Sequence, residues 1–253
     1  ERNRFQSCRE RPGMSTTNTT AMTASFIVPV KNEAARMFTN LQDLEFFLRK
    51  FPLQMELLLV MDPSPDATEE EILKYQKHLQ EIQNDQLSIR LLKNKHSLGR
   101  SRSVAEGLQQ ATGDVILVGS LGWSVPLAEV FQTIQEILLT PNLDLVIGNR
   151  HTSRKKRTAH RSSWYWTLEN MLKEKLAPED FPTQDPLTPF LGFRKSARDK
   201  IKADLNLKGW FYSPDILRTA RKRGLILKEI PILSQDQQPS KIPLFKEYLR
   251  NLF

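Results

Sequence analysis

The sequence predicts an α/β protein with a mostly parallel central sheet flanked by helices on both faces, folded as a single domain. Three observations predict it. Short apolar, β-rich runs alternate with amphipathic helical stretches from Ala24 onward, the order that gives parallel strands joined by right-handed crossovers. The runs Glu56 to Met61 and Asp114 to Val118 are nearly continuous in apolar residues, as strands buried on both faces are. A length of 253 residues, 39% hydrophobic and 26% charged, suits one α/β domain with an ample core.

Taken in order, Ala24 to Val30 is the first strand, and Lys31-Asn32-Glu33 is a loop that opens a helix. From Ala34 the apolar residues Met37, Phe38, Leu41, Leu44, Phe47, Leu48 and Phe51 recur at the three-and-four spacing of a helix that buries one face, and Pro52 ends it. The strand Glu56 to Met61 stops at the turn-rich Asp62 to Thr68, where Thr68 and Glu71 have capping-box spacing for the helix carrying Ile72, Leu73, Tyr75, Leu79 and Ile82. Ser88 to Leu92 is the third strand, Gly99 to Ala111 a helix, and Asp114 to Val118 the strand that leads into the small-residue loop Gly119 to Val125. Such loops, at the carboxyl ends of strands, are where open α/β sheets hold ligands. Pro126 opens another helix, and Leu143 to Gly148 is a strand followed by the polar loop Asn149 to Arg161. Then come an amphipathic helix from Trp164 to Leu176, a Pro-rich loop from Asp185 running into a strand that ends near Arg194, a helix near Ser196 to Ala203, a helix from Gly209 to Arg223 and a last strand from Leu225 to Ile230.

Residues 1–23 read as a flexible polar tail without the apolar core of a secretory signal, 24–241 as the domain, and 242–253 as a short amphipathic helix. No run approaches the roughly 18 apolar residues of a membrane span. The single Cys8 excludes an internal disulfide and fits a reducing cytoplasm. The four histidines show no ligand spacing, so no zinc site is expected. A net charge of +8 favours an anionic partner. Nucleic acid is not expected to be that partner, because no helix-turn-helix, zinc finger or aromatic RNA-binding motif is present.

The succession of motifs resembles family-2 glycosyltransferases of the GT-A fold, and within them the polyprenyl-phosphate (dolichol-phosphate) sugar transferases. Phe26 to Glu33 is similar to the family's opening strand and Asn-Glu; Val60 to Thr68 falls where the family carries Asp-Asp-Gly-Ser-Thr-Asp-Gly-Thr; Asn94 to Gly113 resembles the Gly-rich approach and Ala-x-Gly-Asp. The resemblance implies nucleotide-sugar binding by Pro29, Asn32, Glu33, Asp62, Arg100, Ser120 and Gly122. Ile147-Gly148-Asn149-Arg150 resembles Ile-Gly-Ser-Arg, and Arg161-Ser162-Ser163 a second basic element. Arg150, Arg161 and the Lys241 of Ser240-Lys241 are thereby implied to hold an acceptor phosphate, a task suited to bidentate guanidinium donors. Asp185 to Arg194 and the helix around Asp215 resemble the segments bordering the transfer site, which makes Asp185, Arg194 and Asp215 the catalytic candidates, with Asp185 as general base or acceptor contact.

Each of these residues also has a plain structural reading. Asp62, Asp66 and Asp185 can serve local turn hydrogen bonds, Asp114 can orient its turn, and Arg150 and Arg161 can be solvated members of a basic loop. Departures from the family pattern are concentrated where charge matters. Ser120-Leu121-Gly122 stands where the family carries Asp-x-Asp, so no divalent metal is expected there, although the family would use magnesium or manganese. Met61 replaces the first Asp of the preceding motif, and Pro63 and Pro65 stiffen its turn. Two readings result: a sugar transferase in which Lys31, Arg100, Arg102 or Arg194 offsets the diphosphate charge, or a GT-A pseudoenzyme acting as a binding or scaffold module. The basic loop and the stripe Leu244, Phe245, Tyr248, Leu249, Leu252 and Phe253 suggest peripheral contact with an anionic membrane or a protein partner docking on the terminal helix.

Overall fold

The computed structural model describes residues 22–120, 122, 125–150, 167, 171, 172, 174, 183–207 and 209–233. Its strands are β1 (Met22–Val30), β2 (Leu53–Met61), β3 (Leu87–Lys93), β4 (Val115–Val118), β5 (Leu145–Asn149), β6 (Leu191–Arg194) and β7 (Leu227–Pro231). The helices that lie wholly within the described residues are α1 (Ala34–Leu48), α2 (Thr68–Glu81), α3 (Arg100–Gln110), α4 (Leu127–Leu139), α5 (Lys195–Ile201) and α6 (Ser213–Lys222).

One seven-stranded sheet has the order β3-β2-β1-β4-β6-β5-β7. All pairings are parallel except those of β6, which runs antiparallel to both β4 and β5. The sheet is therefore mostly parallel, as the alternation of elements predicts. Period-two alternation sends successive residues to opposite faces. Phe26, Val28 and Val30 of β1 and Leu57, Leu59 and Met61 of β2 pack with Met37, Leu41 and Leu44 of α1, Ile72 and Tyr75 of α2, and Ile134 of α4. Ile27, Leu58, Val60, Ile116 and Val118 face the other side, against Val104 and Leu108 of α3, Ala197 of α5 and Ile216 and Leu217 of α6. Both faces are thus covered, which explains why these strands read as nearly continuous apolar runs.

Two local expectations are corrected. Thr68 and Glu71 do not form a capping box, because Ala67 is the N-cap of α2 and makes no side-chain capping bond. The Thr68 hydroxyl instead accepts the Glu33 N–H at 2.9 Å and donates to Asp66, tying the loop after β1 to the loop after β2. The helix expected from Gly209 begins only at Ser213, since Gly209 adopts φ +77° and Pro214 lies in the first turn.

Gly113 opens β4 at a place where no side chain fits. A Cβ there would lie 2.5 Å from the Ser25 nitrogen and 2.6 Å from the Ala24 carbonyl carbon, both backbone atoms. Asp114 continues the same join, accepting the Thr23 hydroxyl at 2.7 Å. Gly113→Ala is expected to destabilise the fold by about 1–3 kcal/mol, because the β1–β4 seam must open to accept the methyl. Urea unfolding that returned the wild-type midpoint would show that the seam yields freely.

Candidate functional site

The chain leaves β1 toward β2 and β3 on one side and reaches β4 on the other, so the loops after β1 and β4 diverge at a topological switch point. A crevice at the carboxyl ends of the strands is expected there. Lys31-Asn32-Glu33 follows β1, Asp62 follows β2, Asn94 follows β3, Gly119 to Gly122 follows β4, and Arg150 follows β5, all at the same edge of the sheet. The loop 185–190 arrives at this edge because β6 runs the opposite way, starting at Leu191 beside Val118.

The loops are held by two buried carboxylates. Asp62, 5% exposed, accepts four hydrogen bonds: from Asn94 Nδ2 at 2.8 Å, from Ser97 Oγ at 3.1 Å, and from the Leu98 and Gly99 N–H groups at 3.1 Å each. Burial pushes its pKa up, but the hydrogen bonds from Asn94, Gly99, Leu98 and Ser97 more than offset this, leaving it below the ordinary 3.8. The consequence is a fixed turn 94–99 that ends in Gly99 at φ +82° and starts α3. Lys31 Nζ extends the arrangement, donating to Ser97 Oγ at 2.9 Å. The neighbouring Asp66 is lowered too, first by the Thr68 hydroxyl, and it also accepts the Ala34 N–H at the start of α1.

The second carboxylate is Asp185, which is fully buried. Arg150 grips it through Nε to Oδ2 and Nη2 to Oδ1, both at 2.7 Å, and adds its own backbone N–H at 3.1 Å. Glu229 of β7 arranges the approach, accepting from the Thr183 hydroxyl and from the N–H groups of Gln184 and Asp185. Arg100 starts α3 directly after the Gly99 turn, and its guanidinium sits 5.6 Å over the Tyr212 ring. Its Nη2 is buried and makes no hydrogen bond among the described residues. An unmatched buried donor costs free energy unless a ligand meets it. Tyr212 donates its hydroxyl to the Pro189 carbonyl, and burial raises its pKa.

A family model, glycosyl transferase family 2, matches residues 25–202. The chain belongs to glycosyl transferase family 2. It is 23% identical over 229 residues to a dolichyl-phosphate beta-glucosyltransferase of Trichomonas vaginalis, covering 87% of this chain and 68% of that one. It is 26% identical over 236 residues to the dolichyl-phosphate beta-glucosyltransferase of Saccharomyces cerevisiae, covering 87% and 69%. In fold it is similar to glucosyl-3-phosphoglycerate synthase from Mycobacterium tuberculosis in complex with uridine diphosphate, at a TM-score of 0.63 and 14% identity over 96% of this chain and 85% of that one. A structure of that synthase with manganese, uridine diphosphate and glucosyl-3-phosphoglycerate gives 0.60 at 14% identity, covering 91% and 78%. These likenesses show the GT-A fold.

In this family-2 chain the residues singled out from sequence divide into four groups. Pro29, Asn32, Glu33, Asp62, Arg100, Ser120, Gly122, Arg150 and Asp185 gather at the carboxyl edge. Asp215 lies in the first turn of α6, three residues beyond Tyr212, paired with Arg218 at 2.7 Å. Arg194 does not join them. It pairs in register with Val115 at the opposite end of β4, and its guanidinium donates to the carbonyls of Ile137, Thr140 and Leu143 at the end of α4. Its place is that of a helix C-terminal cap, far from any transfer site at the other edge. Arg161, Lys241, the Arg154 to Arg157 cluster and the terminal helix lie outside the described residues.

Manganese accompanies the nucleotide in the solved neighbour, but the residues present here do not fit a carboxylate-held cation. Ser120 and Gly122 bring no carboxylate, and among the described residues no three His, Cys, Asp or Glu side chains converge. Sequence reasoning missed Arg36, whose Nε donates to Glu33 Oε2 and whose guanidinium lies against Gly122. The available signal was its spacing three residues after Glu33 on α1. It also missed Glu229, which nothing local marks as a partner of residues 183–185.

Proposed function

We propose that this chain transfers a sugar from a nucleotide-sugar donor to a polyprenyl-phosphate acceptor. The observation that carries the reading is the buried Arg100 Nη2, unmatched among the described residues, at an edge where the loops after β1, β2, β3 and β4 converge. A donor diphosphate supplies an oxygen for that unmatched N–H. Support for the acceptor comes from the dolichyl-phosphate relatives and from Arg150 at the far side of the same edge. A lipid acceptor brings the protein to a membrane surface, with the basic segment 150–161, most of it outside the described residues, as the contact. Among the described residues no helix is long and apolar enough to cross a membrane. Flotation with anionic vesicles reads that contact, and a protein left at the bottom of the gradient removes it.

A second reading, a GT-A pseudoenzyme with a binding role, is favoured by the engagement of both buried carboxylates. Asp62 is saturated by four donors, and Asp185 is neutralised by Arg150. Thermal unfolding with uridine and guanosine diphosphates and their sugars separates the readings. At ligand about 100-fold above Kd, a bound nucleotide raises Tm by about 5–10 °C. No shift with any of them favours the pseudoenzyme. A shift followed by label transfer from that nucleotide sugar to dolichyl phosphate supports the transferase.

A further inference from the structure

Arg36 links the loops on the two sides of the switch point. It stands in the first turn of α1, on the β1 side, while Gly122 belongs to the loop on the β4 side. A Cβ on Gly122 would lie 2.8 Å from Arg36 Nη1, 3.2 Å from Cζ and 3.6 Å from Nε. The space beside Gly122 that a carboxylate side chain would enter is therefore held by a guanidinium. Gly122 has φ +92°, which further disfavours any side chain there. Glu33 Oε2 accepts from Arg36 Nε and orients the group from one edge, and the side chain keeps 28% of its surface exposed.

A diphosphate entering this crevice brings negative charge that must be offset. Carboxylates in the β4 loop would need a bridging cation to tolerate it, whereas Ser120 and Gly122 carry no charge to bridge. A neutral loop with a fixed guanidinium draws the same anion, and the planar N–H fork matches phosphate oxygens better than an ammonium does. Of the cations expected from sequence, Lys31 donates to Ser97 and Arg194 caps α4 at the opposite edge, while Arg100 stands at the start of α3 on the β3 side and reaches the anion from there.

We propose that Arg36 is a second diphosphate-binding cation of this chain, acting with Arg100 and standing at the β4 loop in place of a divalent ion. The proposal rests on the nucleotide-sugar reading of the site. Calorimetric titration of the full chain with uridine and guanosine diphosphates, in EDTA and in manganese, tests it. Ligand-observed NMR with uridine and guanosine, the parent nucleosides, accompanies it. One diphosphate is expected to bind equally well in EDTA and manganese. Arg36→Gln is expected to weaken it about 10- to 100-fold, the effect of removing one charge-assisted contact, while leaving the nucleoside unchanged. Arg36→Lys recovers part of the loss, and it carries the test if the glutamine variant fails to fold.

Binding that needs manganese, or an Arg36→Gln variant that binds the diphosphate as wild type does, overturns the proposal and leaves the donor reading intact. Equal loss of diphosphate and nucleoside also overturns it, since Arg36 would then act by supporting the fold. A wild-type chain that binds neither diphosphate under either condition removes the donor reading and this proposal together.

Discussion

Arg150→Met is expected to destabilise the protein by about 3–5 kcal/mol, the cost of removing the bidentate partner of a buried carboxylate. Asp185 has no exposed surface, and Arg150 meets it with two side-chain bonds of 2.7 Å. The pair also fastens the end of β5 to the loop before β6, so its loss loosens that side of the edge. Asp185→Leu alone leaves the guanidinium without its carboxylate and carries a similar penalty. The double variant, with two apolar side chains facing each other, recovers much of the stability. Urea unfolding of the four proteins measures the coupling. Additive single losses would mean that the two groups contribute independently and do not act as one clamp.

Asp62→Ala is expected to cost about 3–5 kcal/mol and to abolish nucleotide binding. It strands four donors, two of them backbone N–H groups that no side-chain rotation can redirect. Turn 94–99 then loses the anchor that sets the start of α3 and the place of Arg100. Asp62→Asn keeps the shape but turns an NH2 toward donors, so it recovers little. A pH dependence follows from the lowered pKa. A carboxyl whose folded pKa lies below its unfolded value stabilises the fold fully above the unfolded value, and that contribution is lost as pH falls through the folded pKa. Wild type is therefore expected to lose this increment below about pH 4, the region of the unfolded Asp pKa, while Asp62→Ala shows a shallower acid limb. Parallel acid limbs in the two proteins would remove Asp62 as the titrating anchor.

Much of the fold was legible because it is written in local periodicity. Met37, Leu41, Leu44 and Leu48 announce α1 by their spacing, and the apolar run Leu57 to Met61 announces a strand covered on both sides. The antiparallel direction of β6 was not legible, since Leu191-Gly192-Phe193-Arg194 reads the same whichever way it pairs. That direction sends Arg194 to the far edge and brings Asp185 to the near one. The motif order alone assigned both residues to a single site.

The sequence by itself determined the α/β class, the family, the strands whose carboxyl ends carry the loops, and the absence of acid at Ser120 and Gly122. These depend on residue type and short spacing, which the chain states directly. Only the tertiary structure decided which charges meet. Asp62 is spent on residues 94 to 99, Asp185 on Arg150, and Arg194 on the end of α4. Arg36 reaches Gly122 across 86 positions of chain because β1 and β4 are neighbours in the sheet. A carboxylate or guanidinium takes its role from the partner within about 3 Å, and that partner is set by how distant strands are ordered.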